Sequence, residues 1–114
     1  MMKPNNSLRL QHILDAIEMI GSHLEGFEIG SFQIDRKTQD AVVRQLEIVG
    51  EAVANLTLEL KAATAHVEWQ SATSARNRLI HGYFDVDPNL VWDIVENDLP
   101  VLKIQVDEIV KRLK

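Results

Sequence analysis

The chain of 114 residues is 46% hydrophobic and 25% charged, carries a net charge of −5 and has no cysteine. Such a composition excludes disordered and fibrous chains, a disulfide framework, a thiolate nucleophile and any cysteine metal site. The acidic balance excludes a broadly basic surface, so contact with nucleic acid has to come from a local patch. The length suits one domain, residues 1–114, burying roughly two-thirds of its unfolded surface. Met1-Met2-Lys3-Pro4-Asn5-Asn6 leads straight into a periodic segment with no long apolar run. Neither a signal peptide nor a membrane span is expected, and the cytoplasm is the expected compartment. The sequence shows no internal repeat, low-complexity tract or dividing linker.

A first helix is expected from about Ser7 to Leu24. Leu10, Ile13, Leu14, Ile17, Ile20 and Leu24 recur at three- and four-residue spacing, and Ser7 is a suitable N-cap. Glu25 to Ser31, with Gly26 and Gly30, reads as a loop that Phe27 and Phe32 tuck against the core. A second helix is expected from Asp35 to Leu56. Val42, Leu46, Val49, Val53 and Leu56 form its seam, widened by Ala41, Ile48 and Ala52. Its opposite face carries Asp40, Arg44, Glu47 and Glu51. These make either a solvated ladder of ion pairs, each worth about 0.3 kcal/mol, or, through Glu51, a support for a neighbouring site. Gly50 costs roughly 1 kcal/mol against alanine in mid-helix. With Ala54, it implies close approach of another helix, in the same chain or a second subunit.

Thr57 to Thr64 reads as a short helix or irregular turn. A third substantial helix follows from about Trp69 to Ile80, with Ala72, Ala75 and Leu79 on its buried face. After Gly82, Tyr83 to Val86 form a turn. Asp87 as N-cap and Pro88 at the first helical position then start the last helical region. Its stripe is Leu90, Val91, Ile94, Val95, then Leu102, Val106, Ile109, Val110 and Leu113. Pro100 cannot donate to the Glu96 carbonyl, so a kink or break is expected there. Runs suited to a sheet are missing, and the fold class is all-α, an antiparallel helical bundle.

Chemistry concentrates in Arg76-Asn77-Arg78-Leu79-Ile80-His81-Gly82-Tyr83. A fixed cation, an amide, the one side chain that titrates near neutrality and a phenol lie within eight residues. On an ideal helix Asn77 and His81 share a face, whereas Arg76 sits roughly 140° from His81. The two converge on one group only if the helix stops before His81, as Gly82 would allow, or if two chains each supply a part. The plain alternative is a helix C-terminus whose basic residues complement the dipole. Elsewhere His12 with Asp15, and His66 with Glu68, are weak metal candidates better read as surface histidines, and His23 is isolated. No phosphate-binding glycine loop or nucleophile elbow is present, and Trp69 and Trp92 read as packing residues. The inventory of residues 76–83 suits metal-independent cleavage of RNA. A histidine can move protons at the 2′-hydroxyl or the leaving oxygen, and an arginine can neutralise the phosphorane.

These residues also resemble a known family. Arg76-Asn77-(x3)-His81 matches the Arg-x4–6-His motif of HEPN domains, and Arg-x4-His-x-Tyr, ending at Tyr83, is the form of the HepT toxins. Gln39-Asp40-Ala41-Val42 and Leu46 to Ala52 resemble that family's second helix; Arg76 to Phe84 with Val91-Trp92-Asp93-Ile94-Val95 resemble its C-terminal half. The likeness runs from Leu8 to Leu113. Glu68 departs from it, standing where the family usually has proline. The resemblance implies a HEPN-type all-α homodimer in which two motifs meet in a cleft, without a cofactor. Arg76 and His81 would be catalytic, Asn77 supporting their geometry, and Tyr83 the acceptor of AMP from a cognate nucleotidyltransferase antitoxin of the MntA type; Glu51 stays a supporting candidate from its place on the second helix alone. The expected function is an endoribonuclease toxin of a type VII-like toxin–antitoxin pair. The alternative is a non-catalytic HEPN module that binds a nucleotide or the nucleotidyltransferase as a regulatory scaffold.

Overall fold

The computed structural model describes residues 5–80 and 87–113, with the backbone alone for 75–80. Every regular element among them is helical, as the sequence leads one to expect. Helix α1 spans Asn6–His23 and buries Leu10, Ile13, Ala16 and Ile20, a stripe at three- and four-residue spacing. Its N-cap is Asn5 rather than Ser7: the Asn5 side chain accepts the Leu8 N–H at 2.9 Å. Asparagine and serine cap equally well, and pattern alone does not choose between neighbours.

The expected loop after α1 holds a short helix, α2, Ile29–Gln33. Gly26, at φ 81°, turns the chain through the left-handed region that favours glycine. The Ser31 hydroxyl then accepts the Glu28 N–H at 3.0 Å and starts α2. Phe32 is fully buried and Phe27 packs half-buried on the core, as expected. Gln39 is buried as well, its Nε2 donating to the Phe32 carbonyl at 2.8 Å and the Gln33 carbonyl at 3.1 Å. That pair satisfies the end of α2, whose carbonyls have no helical partner.

Helix α3 spans Arg36–Ala54, with Asp35 capping the Thr38 N–H at 3.0 Å. Leu56 is buried but lies beyond the helix. Gly50 is buried within a single chain, whereas Ala54 is exposed. The outer face carries two weak pairs, Arg36–Asp40 at 3.5 Å and Arg44–Glu47 at 3.7 Å, mostly in solvent. The chain then enters α4, Leu58–Ala63. Thr57, its N-cap, is tied to the start of α1: Asn6 Nδ2 donates to Thr57 Oγ1 at 3.0 Å, and the Thr57 N–H donates to Asn6 Oδ1 at 3.1 Å. The start of α1 therefore meets the end of α3, and the two helices run antiparallel.

Helix α5 spans Trp69–Ile80, as read from the sequence. Trp69 is buried and its indole donates to Thr64 Oγ1 at 3.0 Å. The Glu68 carbonyl accepts the Ala72 N–H at 3.3 Å, so the helix starts well without the family's proline. Ala72 packs half-buried on the core; the placing of Ala75 and Leu79 on that face, and the turn at 81–86, lie outside the described residues. Asp87 caps α6, Pro88–Asp93, with Pro88 in its first turn. Trp92 rests against Phe32, ring centroids 5.3 Å apart, a packing role as expected. At Pro100 the chain does not stop. It passes through a π turn, Ile94–Asp98, and continues as α7, Leu99–Leu113. The Leu99 N–H reaches back five residues to the Ile94 carbonyl. A proline that cannot bond four residues back is absorbed by this wider turn. Leu113, placed on the apolar stripe by its spacing, is half exposed at the frayed end. Among the described residues no helix is long and apolar enough to cross a membrane.

Candidate functional site

The helix that carries the motif is held by its first two turns. Val67 and Trp69 are buried, the indole is bonded to Thr64, and Thr73 Oγ1 donates to the Trp69 carbonyl at 3.3 Å. From that anchor α5 runs along α3 and ends at Ile80. Arg76 and Asn77 thus stand on α5, four and three residues before Ile80, its last described residue. Their side chains lie outside the described residues, as do His81, Gly82 and Tyr83 entirely. The described part of the helix reaches Ile80, and the next described residue is Asp87, the cap of α6.

Glu51 is the one proposed site residue whose side chain is described. It is exposed on α3, and its Oε1 accepts from Asn55 Nδ2 at 3.3 Å, while its carbonyl accepts from the same group at 2.9 Å. It lines a groove of about 340 Å³ between α1 and α3, together with Arg9, His12, Arg44 and Glu47. Leu46 and Val49 face the other way, into a cavity they share with Ser71 and Ala72 of α5. At about 100° per residue Glu51 is turned roughly 160° from Val49. Glu51 therefore sits on the side of α3 away from the α5 of its own chain.

The groove beside Glu51 is a charged feature that sequence reading missed. Arg9 and His12, three apart on α1, meet Arg44, Glu47 and Glu51 across it. The acidic ladder on α3 signalled half of it, and only the antiparallel pairing of α1 and α3 brought the other half. Among the described residues no three histidine, aspartate or glutamate side chains converge as metal ligands.

Comparison with known proteins covers nearly the whole of this architecture. The family model described as ribonuclease HepT-like matches residues 13–109, a span that includes α5 and both motif residues. A protein of Thermococcus cleftensis named "Probable ribonuclease HepT" is 38% identical over 102 residues, 90% of this chain and 93% of that one. A protein of Methanocaldococcus jannaschii named "Gamma-glutamylcyclotransferase and putative RNase" is 36% identical over 112 residues. That match covers 98% of this chain, which spans only half the length of that relative. No solved structure matches the chain.

Proposed function

This chain belongs to the ribonuclease HepT-like family, and on that premise we propose that it is a metal-independent endoribonuclease toxin with Arg76 and His81 as its catalytic pair. The observation that carries the reading is the family match through residues 13–109, which encloses an Arg-x4-His-x-Tyr motif with both reacting side chains intact. His81 removes the proton of the 2′-hydroxyl or supplies one to the leaving 5′-oxygen. Arg76 neutralises the charge that builds on the phosphorane oxygens, and Asn77 holds the pair in place. A 2′-hydroxyl nucleophile and a fixed cation complete this chemistry without a metal ion.

Residues 1–114 act as one domain, and two copies form a homodimer whose motifs meet in a shared cleft. The composite site is one of the two arrangements in which Arg76 and His81 can converge, since on one unbroken helix they would diverge by roughly 140°. Glu51, turned from its own α5, would support the motif of the other subunit. The test is cleavage of total RNA by the purified chain in excess EDTA, with the ends of the products mapped. The expected ends are 2′,3′-cyclic phosphate or 3′-phosphate. A strict Mg²⁺ requirement with 3′-hydroxyl ends overturns the mechanism and directs attention to Asp40, Glu47 and Glu51.

The same reading gives the site a means of control in a type VII-like toxin–antitoxin pair. Tyr83 stands two residues past His81. A cognate nucleotidyltransferase of the MntA type would transfer AMP from ATP to its phenolic oxygen, releasing pyrophosphate. The added phosphate competes with RNA for Arg76, and the nucleoside fills the cleft. Tyr83→Phe is expected to keep wild-type cleavage and to gain no AMP mass when incubated with the partner and ATP. Equal labelling of the Phe variant places the acceptor elsewhere; labelled wild-type protein that still cuts RNA separates modification from control.

A further inference from the structure

The geometry points to a docking groove for a basic segment of a partner protein, on the face where α3, α5 and the π turn with α7 come together. Its centre is a cavity of about 210 Å³ whose floor is apolar, made by Leu46, Val49, Ile94 and Leu102. The rim is polar, with Glu68 and Ser71 from the start of α5 and Asn97, Asp98 and Gln105 from the π turn and α7. Neither the Glu68 nor the Asp98 carboxylate has a hydrogen bond or ion pair among the described residues, and both residues are exposed.

The two amides on the rim have each committed a donor to the protein. Asn97 Nδ2 donates to Asp93 Oδ1 at 2.6 Å, and Gln105 Nε2 donates to the His66 carbonyl at 3.5 Å. Each keeps its carbonyl oxygen, so among the described residues acceptors outnumber donors around the opening and two carboxylates give it negative charge. A fitting ligand has an apolar stem and a donating, cationic head. An arginine or lysine side chain is built that way. RNA is not, because its phosphates would face carboxylates of like charge.

The floor continues beyond the cavity. Val101, 54% exposed, lines it, and Ile104, 61% exposed, follows one turn further along α7. A free polyamine has nothing to place there, whereas a peptide with a large apolar residue beside its basic one covers both. The net charge of −5 favours a basic partner in the same sense. Ala72, in the cavity wall, precedes Arg76 by one helical turn, so a segment seated here presses on the helix that bears the motif. The groove stands independently of any ribonuclease activity.

The test is titration of the full, isotope-labelled chain with an acetylated Leu-Arg-Leu-Leu amide, followed by backbone amide spectra without RNA. The control peptide carries citrulline, the neutral isostere, in place of arginine. The arginine peptide is expected to move the signals of Ser71, Asn97, Asp98 and Val101, and citrulline to weaken binding about three- to tenfold. The double variant Glu68→Gln, Asp98→Asn, surface changes that leave the fold intact by circular dichroism, should remove the preference for arginine. Binding of the arginine peptide should weaken as salt rises. Equal binding of both peptides, or shifts confined to other surfaces, overturns the proposal. So does spermidine, or a short oligoadenylate, moving the same signals as strongly as the peptide.

Discussion

Arg76→Ala and His81→Ala are each expected to lower RNA cleavage by about 10²–10⁴-fold, the usual cost of losing a charge that stabilises a transition state or a general acid/base. Helical circular dichroism and molecular size are expected to stay at wild-type values. Arg76→Ala is expected to keep the helix, because alanine is the better helix former. Cleavage of total RNA, read beside both controls, decides the assignment. Wild-type rates in both variants remove Arg76 and His81 from the site. A folded wild-type chain that cuts no RNA but binds a nucleotide or a nucleotidyltransferase replaces the enzyme with the scaffold reading.

Phe32→Ala is expected to cost about 3–5 kcal/mol of folding stability, the range for emptying a buried aromatic site. Phe32 is 0% exposed, packs on Trp92 at 5.3 Å, and belongs to a five-residue helix with little stability of its own. Its removal opens the seam between α2, α3 and α6 and leaves the Gln39 anchor on a loosened turn. Domains have about 5–15 kcal/mol in total, so the change consumes about a fifth of the margin or more. Urea denaturation measures it as a fall in midpoint with the slope preserved. An unchanged midpoint means that α2 folds onto the bundle without contributing to it.

How far the fold was legible follows from which signals are periodic and which are not. The span of α5 was readable from spacing, and the Asp87–Pro88 start of α6 from its cap chemistry. Helix α2 was not, since five residues are too few for a period and its stability comes from Phe32 and Gln39, distant in kind from any propensity. Leu99 escaped the apolar stripe because it stands five residues after Ile94, a gap that an α-helix does not place on one face. The site divides in the same way. Its residue types are legible in Arg76-x4-His81, which is a matter of chemistry. The direction of Glu51 is not, because the face that α3 turns to α1 is decided by packing between residues tens of positions apart.

The π turn also fixes what changes of length the C-terminal half can accept. Buried residues follow the order Val91, Ile94, Leu99, Leu102, Val106 and Ile109, so the five-residue step from Ile94 to Leu99 is the one place out of phase with an α-helix. Loss of one residue inside that step brings Ile94 and Leu99 to four apart and keeps both on the core side. A deletion anywhere else along residues 88–113 swings every later side chain by about 100°. The permitted deletion carries a condition, because it would place Pro100 in an unbroken α-helix, where its ring strikes the preceding turn. Gap and proline are thus inherited as a pair: a descendant that sheds the extra residue has to shed Pro100 with it.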